Sequence, residues 1–294
     1  PLLAWLHTPS TDFERALDTD ITLGVSTLGQ LAAIRTAARV RGAQARVDLK
    51  IDTGLNRNGC ARSDWPAFFD EAVRARDSGE VHVRGLFSHL ACADDPTSAV
   101  TDRQVASFTD GAATLAARGI APQLRHLANS AAALTRPDTR FDMVRTGIAA
   151  YGLSPVTGRD FGLIPALSLI APVALTKRVA AGEGVSYGHS WTAPCDTTVA
   201  LIPLGYADGI PRALSGRFDV AIGGRRYPAV GRVCMDQFLV DLGDGPDVVA
   251  LGDDATIIGE GTDGLTEWAE RLGTIHYELA TGIRGRVERT YLGE

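Results

Sequence analysis

Short apolar runs alternate with amphipathic segments along the first half of the chain. The runs have the length and composition of β-strands and cover residues 2–7, 21–26, 46–52, 83–89, 124–129 and 141–147. Several of the segments between them carry apolar residues at helical spacing. Because mostly apolar strands that alternate with helices are typical of a parallel sheet covered by helices, we predict an α/β fold for this half.

Two of the predicted helices have recognisable start signals. Thr27 with Gln30, and Thr101 with Gln104, match the capping-box pattern, in which two side chains satisfy free backbone amides at a helix N-terminus. Gly119 stands where the second helix should end, because glycine readily adopts the left-handed conformation that closes a helix. These signals predict helices that begin near residues 28 and 102.

Polar side chains stand at the carboxyl end of one predicted strand after another. They are Ser26, Lys50, Asp52, His89, Asn129 and Arg145. An open dinucleotide-binding sheet would carry a G-x-G-x-x-G turn after an early strand, and no early strand here has one. Polar groups gathered at that end are typical of a (β/α)8 TIM-type barrel. Six units are visible where eight are needed, so we expect the first two βα units to be missing before Pro1.

Beyond about residue 160, helical spacing gives way to β-rich runs separated by glycine and aspartate turns. The predicted strands are 172–179, 198–204, 218–222 and 238–242, with one amphipathic helix near 266–272. A segment rich in glycine and proline, 155–165, separates the two halves. We therefore predict a barrel domain over residues 1–160, incomplete at its N-terminus, and a mainly antiparallel β domain over residues 161–294.

Composition and charge exclude several classes of function. Hydrophobic residues make up 45% of the chain and charged residues 22%, which is usual for a protein with a buried core. The net charge of −6, without a basic tract, argues against nucleic acid or an anionic membrane as a partner. No apolar run has membrane-spanning length and no signal-peptide pattern opens the sequence, so we expect a cytoplasmic protein. The 4 scattered cysteines form no C-x-x-C pair, which predicts reduced thiols and no metal site.

The last two predicted barrel strands end in sequences suited to holding a phosphate. They read HLANS at residues 126–130 and VRTGI at residues 144–148. Barrel enzymes often bind a phosphate in the loops after strands seven and eight. Asn129 and Ser130 alone would serve equally well as a helix N-cap, whereas Gly147 lets the backbone approach a ligand closely. A phosphate site and simple capping therefore stand as alternatives.

The third predicted strand ends in a buried cation and a carboxylate. Lys50 and Asp52 would need partners there, and Arg57 is near in sequence. The group is either a structural ion-pair cluster or part of a site. His89, at the end of the next strand, is either a core histidine or a functional one.

Seven sequence blocks, in this order and spacing, resemble the alanine racemases, a family of fold-type III enzymes that use pyridoxal 5'-phosphate (PLP). The blocks are KIDTGLNRNG, HLANSAA, MVRTGIAAYGLSP, GEGVSYGHSW, PLGYADG, GRVCMDQFLVDLG and TIHYE. The resemblance extends from the family's third barrel strand to the end of the chain. It implies interconversion of L-alanine and D-alanine, which supplies D-alanine for peptidoglycan.

The resemblance implies a PLP site at the mouth of the barrel. The residues that match the family's cofactor contacts are His89, Asn129, Ser130, Arg145, Gly147, Ile148 and Tyr277. Arg145 would face the pyridine nitrogen, and because arginine only donates, the ring would be a weaker electron sink. Lys50 matches a lysine that is carbamylated in many members, and a carbamate there would orient Arg57.

The resemblance also implies a two-base mechanism in a homodimer with shared active sites. Tyr187 of the partner subunit matches one base, tuned through His89 and Arg145. The substrate-binding residues would be Arg57, Tyr206 and Met235, the last also from the partner subunit. The substrate would be a small amino acid.

The family's other base is a Schiff-base lysine in a motif like VKANAYGHG. The two lysines here are Lys50 and Lys177, and neither stands in such a motif, so the chain as written is expected to bind PLP weakly and not to racemise. A truncated, non-catalytic remnant and a broad-specificity amino-acid racemase are therefore the alternatives. A fold-type III decarboxylase is disfavoured, because it would need an acidic residue where Arg145 stands.

Overall fold

The computed structural model describes residues 2–245 and 249–293. The chain divides into two compact units. The first consists of the residues up to Ala150 and of Ser154–Leu163, and the second of Tyr151–Leu153 and the chain from Ile164 on. Each unit is described by itself.

The first unit is built on five parallel strands whose order in the sheet is their order in the chain. They are β1 (Leu2–Ala4), β2 (Ile21–Val25), β3 (Ala45–Lys50), β4 (Val81–Phe87) and β5 (Leu124–His126). Every neighbouring pair is parallel. All carboxyl ends therefore lie at one edge, which confirms the predicted α/β barrel-type sheet.

A helix follows each of these strands. The helices are α1 (Phe13–Asp18), α2 (Leu28–Arg41), α3 (Trp65–Asp77), α4 (Ala99–Ala116) and α5 (Ser130–Thr135). The predicted start of α2 is confirmed, since the Thr27 hydroxyl accepts the amide of Gln30 at 3.1 Å. The Gln30 side chain, however, accepts the amide of Ser26 and not that of Thr27, so only half of the capping box forms.

The capping box predicted at Thr101 and Gln104 is wrong. Helix α4 begins three residues earlier than expected, and its N-cap is Ser98, whose hydroxyl accepts the amide of Val100 at 3.3 Å. Thr101 and Gln104 are both buried, so neither is at a free helix end. The predicted end of the helix is closer: α4 ends at Ala116, and Gly119 follows with a φ of 79°.

The sixth predicted strand, 141–147, is wrong as well. The structure has only an isolated parallel bridge there, between Asn129 and Arg145, in which the Arg145 amide donates to the carbonyl of Ala128 at 3.0 Å. Phe141 has a φ of 45°, and strands do not tolerate a positive φ at a residue of this size. The single bridge nevertheless places Arg145 beside the end of β5.

The two faces of the parallel sheet differ in polarity. Val47 and Leu49 of β3 are fully buried in one apolar cluster with Phe68 of α3. Each such side chain stabilises the fold by roughly 1.5–3 kcal/mol. Asp48 and Lys50 alternate with them and therefore lie on the other face of the sheet. That face carries the polar groups described below.

The second unit is a seven-stranded sheet with a small two-stranded one. The seven strands are β6 (Leu169–Pro172), β7 (Leu175–Val179), β10 (Thr197–Ile202), β11 (Asp219–Ile222), β12 (Arg225–Val230), β13 (Phe238–Gly243) and β14 (Asp254–Ile258). Their order is β6-β14-β11-β12-β13-β10-β7, with antiparallel pairing throughout. The smaller sheet pairs β8 (Gly184–Val185) with β9 (Trp191–Thr192). The predicted antiparallel domain is confirmed.

The single strand predicted at 172–179 is wrong. Strands β6 and β7 share that stretch and lie at opposite edges of the sheet, so the chain changes direction between them. The predicted helix near 266–272 is confirmed as α6 (Gly264–Leu272), and α7 (His276–Gly282) follows it. Within residues 2–245 and 249–293, none of the helices has the length and hydropathy needed to span a membrane.

Candidate active site

The carboxyl edge of the parallel sheet carries a cluster of basic groups. Lys50 is the last residue of β3 and is only 4% exposed, and His89 follows β4. Burial, reinforced by the positive charges of Arg57 and Arg145, lowers the pKa of Lys50 to about 8. The structure thus brings Arg57 together with three groups that the sequence placed at separate strand ends. We refer to Lys50, Arg57, His89 and Arg145 as the basic cluster.

His89 is the uncharged member of the basic cluster. Burial, and then the positive charges of the three other members, lowers the pKa of His89 to about 4. In the described part of the chain, no carboxylate lies within ion-pair distance of Lys50, Arg57 or Arg145. The cluster therefore carries an excess of positive charge that a bound anion would balance.

Arg145 is held by carbonyl groups from two strand ends. Its guanidinium donates to the carbonyls of Ser88 at 2.6 Å, His126 at 2.9 Å and Leu127 at 3.3 Å. It also donates to ring nitrogens, to Nδ1 of His126 at 2.8 Å and to Nδ1 of His89 at 3.3 Å. Burial lowers the pKa of Arg145 to about 10, so the group is still a cation at neutral pH. Its position is fixed before any ligand binds.

The loop after β3 is closed by its own hydrogen bonds. The carboxylate of Asp52 accepts three backbone amides between Gly54 and Asn56, at 2.8–3.2 Å. Lys50 donates to the side-chain oxygen of Asn58. Asp52 therefore stabilises the loop, and its charge acts on Lys50 only through space, where it raises the pKa against the larger effect of burial.

Sequence reasoning missed the role of Gln104. Its side-chain amide donates to the carbonyl of His89 at 3.0 Å, and its oxygen accepts the amide of Ala91 at 2.8 Å. The same amide reaches the hydroxyl of Thr53, which in turn hydrogen-bonds with Ser88 at 2.8 Å. This buried set fixes the backbone on both sides of His89. The available signal was a glutamine on the apolar side of α4, where a polar side chain needs a partner.

We expect His89 to make the protein less stable in acid. Its pKa in the folded protein, about 4, lies below the ordinary 6.5, so the unfolded chain binds a proton more readily. Its contribution is complete above pH 6.5 and is lost as the pH falls toward 4, by up to about 3 kcal/mol. Urea unfolding at pH 7 and pH 5 should show about 2 kcal/mol of this loss, and the difference should shrink in His89→Gln. His82→Gln, the same change near the start of β4, controls for removing a ring, and equal losses in wild type and His89→Gln would contradict the prediction.

The residues predicted to hold a phosphate lie around the bridge between Asn129 and Arg145. Asn129 caps α5, and its side chain accepts the amide of Ala132 at 3.1 Å. Ser130 is 4% exposed and accepts the amide of Ala149 at 3.3 Å. A Cβ added at Gly147 would meet nothing within 4 Å, so open space lies against the backbone there. Ile148, which follows, is buried. Capping by Asn129 is thus observed, and a space beside it is left for a ligand.

Three of the predicted second-unit residues lie on neighbouring loops of that unit. Tyr187 is 71% exposed, and the residue before it, Ser186, contacts Sγ of Cys234 at 3.5 Å through its hydroxyl. The amide of Tyr206 donates to the carbonyl of Cys234 at 3.0 Å, and the next amide donates to the carbonyl of Met235 at the same distance. Tyr206 and Met235 are exposed as well. The three exposed side chains therefore belong to loops that contact one another within the second unit.

Two further residues of the second unit bear on the predictions. Tyr277 lies in α7 with its ring stacked on that of His276, at a centroid distance of 5.1 Å. Lys177 lies in β7 and is exposed. Lys177 is thus a side chain on an edge strand of the second unit's sheet.

The first unit is a parallel βα sheet with a basic cluster at its carboxyl edge, and the same chain continues into an antiparallel β unit. These features define a class of two-domain enzymes with a barrel-type site. Comparison with known families narrows this class. The family described as alanine racemase, N-terminal domain, matches residues 1–155, and alanine racemase, C-terminal domain, matches residues 166–291. The chain belongs to the alanine racemase family, which confirms the family predicted from the sequence blocks.

Individual relatives agree with this assignment. The alanine racemase of Mycolicibacterium vanbaalenii is 55% identical over 296 residues, which cover 99% of this chain and 76% of that protein. That of Mycobacterium tuberculosis is 50% identical, over 99% of this chain and 77% of that protein. The solved alanine racemase of Streptomyces lavendulae, a producer of D-cycloserine, superposes with a TM-score of 0.93 at 46% identity, over 99% of this chain and 78% of that chain.

Proposed function

We propose that the protein is a PLP-dependent alanine racemase that interconverts L-alanine and D-alanine. The observation that carries the proposal is the basic cluster, which lies at the carboxyl edge of the sheet in a chain 55% identical to an alanine racemase. Its excess positive charge suits a phosphate ester and an amino-acid carboxylate, and both are anions.

The residues present fit PLP. The open space at Gly147, beside the buried hydroxyl of Ser130, suits its phosphate group, together with Asn129 and Ile148. Tyr277 is assigned to the phosphate by the resemblance of the sequence blocks alone. Arg145 presents donors only, so it would hold the pyridine nitrogen as an acceptor. When bound, PLP supplies the electron withdrawal that makes the Cα proton of an amino acid acidic.

Proton transfer on one face is assigned to Tyr187 of the partner subunit, assisted by His89. Because Arg145 donates to Nδ1 of His89, the ring carries its own proton on Nε2. An Nε2–H group stabilises a phenolate that accepts from it and so lowers the pKa of a tyrosine from its usual value of about 10. The exposed position of Tyr187 supports a contact with a second copy, and hence a homodimer. Arg57 and the backbone of Met235, again from the partner subunit, would hold the substrate carboxylate, with Tyr206 at the entry.

The activity test uses the protein together with any residues that precede Pro1 in its gene, saturated with PLP. Incubation with L-alanine in D2O should yield D-alanine carrying deuterium at Cα. Absence of D-alanine would overturn the proposal. If larger amino acids are racemised equally fast, the proposed function changes to that of a broad-specificity amino-acid racemase. The 294-residue chain alone should give no D-alanine, because its lysines, Lys50 and Lys177, stand in other positions than the family's Schiff-base lysine.

Filling the space at Gly147 should weaken cofactor binding without harming the fold. The methyl group of Gly147→Ala meets nothing within 4 Å in the protein, but it occupies space assigned to the phosphate. We expect PLP affinity to fall about tenfold or more, the equivalent of about 1.4 kcal/mol, with an unchanged Tm in the absence of PLP. Equilibrium dialysis with PLP measures the affinity. Gly29→Ala, in the exposed first turn of α2, is the matched control, and undiminished affinity in Gly147→Ala would remove Gly147 from the phosphate site.

A further inference from the structure

A β-bulge between β3 and β4 prepares a place for a buried carboxylate. Val47 pairs with Val83 but Asp48 pairs with Gly85, which leaves Arg84 as the extra residue. The Asp48 side chain is fully buried. A Cβ at position 85 would come within 2.7 Å of its carboxylate, so only glycine leaves room for it. The bulge turns Arg84 toward Asp48, and bulges commonly re-aim side chains near active sites.

Two basic side chains hold this carboxylate in place. Arg84 donates from Nε to Oδ1 of Asp48 at 2.9 Å and from Nη2 to Oδ2. Nε2 of His126 lies 3.1 Å from Oδ2. Burial alone would raise the pKa of Asp48, but the hydrogen bonds from His126 and Arg84 outweigh burial and hold the pKa below its ordinary value. Asp48 is thus a carboxylate, an acceptor only, at neutral pH.

His126 connects the carboxylate to Arg145. Its ring is fully buried and stacked on that of Phe87, with centroids 4.7 Å apart and planes 6° from parallel. Arg145 faces Nδ1 at 2.8 Å and can only donate, so Nδ1 must accept. Burial is the main cause that lowers the pKa of His126, and the ring is neutral. Its one proton is therefore on Nε2, where it is donated to Asp48.

We propose that Asp48, held by Arg84 above Gly85, is a positioning residue for racemisation, because it fixes the Nε2–H tautomer of His126 and so keeps Nδ1 as the acceptor that orients Arg145. Arg145 in turn orients His89, on the other side of the guanidinium. This inference rests on the proposed function, which assigns Arg145 to the cofactor ring and His89 to the proton-transfer path.

Asp48→Asn is the diagnostic substitution, because it replaces one carboxylate oxygen, which accepts hydrogen bonds, with an NH2 group, which donates them. Nη2 of Arg84 and Nε2 of His126 both face Oδ2, and Nε of Arg84 faces Oδ1, so the NH2 group of asparagine opposes an N–H group of Arg84 in either orientation. In the orientation that puts NH2 at the Oδ2 position, it also faces Nε2 of His126. Nε2 would then have to accept, the ring proton would move to Nδ1, and two donors would oppose each other where His126 meets Arg145. One hydrogen bond of that pair must break.

The test measures the tautomer and the kinetics together in the PLP-bound enzyme, made with any residues that precede Pro1 in its gene. NMR of protein labelled with 15N-histidine identifies which ring nitrogen of His126 carries the proton, with the signal assigned by its loss in His126→Gln. We expect Nε2–H alone in wild type and a measurable population of Nδ1–H in Asp48→Asn. We expect kcat for alanine to fall about 10- to 100-fold, the usual effect of removing a group that orients another, while KM changes little.

Two further variants separate positioning from general loss of stability. Arg84→Lys keeps a cation beside the carboxylate, so the tautomer and kcat should stay near those of wild type. Glu80→Gln removes an ion pair with Arg35 and Arg39 before β4 begins, and should leave the His126 signal unchanged.

The outcomes that overturn the inference are distinct from those that overturn the racemase assignment. A proton on Nδ1 of His126 in wild type overturns it even if Asp48→Asn does not fold. A fall in kcat of Asp48→Asn without a change of tautomer also overturns it. If the expected tautomers are seen but wild type makes no D-alanine, the proposed function fails and the positioning by Asp48 stands.

Discussion

Replacing Tyr187 by phenylalanine should lower the rate of proton removal from L-alanine by about 10²- to 10⁴-fold, the range of a lost general base. The side chain is 71% exposed, so the loss of its hydroxyl should cost the fold little. The base assigned to Tyr187 serves one face of the substrate. Its loss should therefore affect the rate of deuterium exchange at Cα differently for L-alanine and D-alanine. Proton removal from D-alanine uses the other face and should be much less affected.

Deuterium incorporation at Cα, measured separately from each pure enantiomer in D2O, distinguishes the two faces. Net racemisation must fall equally in both directions, because the equilibrium constant between enantiomers is one, so racemisation rates alone would not identify the face. Tyr291→Phe, at an exposed tyrosine of the same unit, is the matched control. An unchanged exchange rate from L-alanine in Tyr187→Phe would refute the assignment.

Replacing Arg145 by methionine should lower the free energy of unfolding by about 3 kcal/mol even without a cofactor. The substitution keeps an apolar stem but leaves the carbonyls of Ser88 and Leu127 without this donor, whereas that of His126 keeps the amide of Ser88 at 3.4 Å. Each unsatisfied buried acceptor costs about 1–3 kcal/mol. The energy recovered by no longer burying a charge offsets part of this loss, which is why the sum is not larger.

Urea unfolding of the PLP-free protein measures this effect. Arg140→Met is the matched control, since Arg140 also donates to a backbone carbonyl, that of Ala133 at 2.9 Å, but is exposed. Water can replace an exposed donor, so the control should change stability by less than about 1 kcal/mol. If Arg145→Met changes the free energy of unfolding equally little, the strand ends hold their geometry without the Arg145 guanidinium, which would contradict the prediction.

The strands were predictable because buried parallel strands are mostly apolar, but the residues at which they end were not. Two predicted strands, 46–52 and 83–89, extend two residues beyond the observed ends of β3 and β4, Lys50 and Phe87. In both, the overrun includes a polar group, Asp52 or His89, that belongs to the loop and to the site. The polar residues marked the carboxyl edge of the sheet correctly, because the hydrophobic pattern stops there.

The contacts that hold the site could not be predicted from local pattern. Gln104 matched a capping box, yet it serves the backbone at His89, fifteen residues away in sequence. Arg84 is in contact with Asp48 only because a bulge shifts the register of two strands by one residue. Such contacts depend on tertiary distances, and a spacing rule along one helix or strand contains no information about them. Strand 141–147 failed for the same reason, since Phe141 turns the chain.

The order of strands in the second unit has a consequence for synthesis on the ribosome. β6 and β7 are neighbours in sequence but opposite edges of the sheet, and β6 pairs with β14, so that Leu169 meets Ile258. An emerging chain therefore exposes the hydrogen-bonding edge of β6 until nearly all of the sheet has been made. Folding of this unit should be slow, as for other folds rich in non-local pairing, and the nascent chain should depend on chaperones more than the finished protein does.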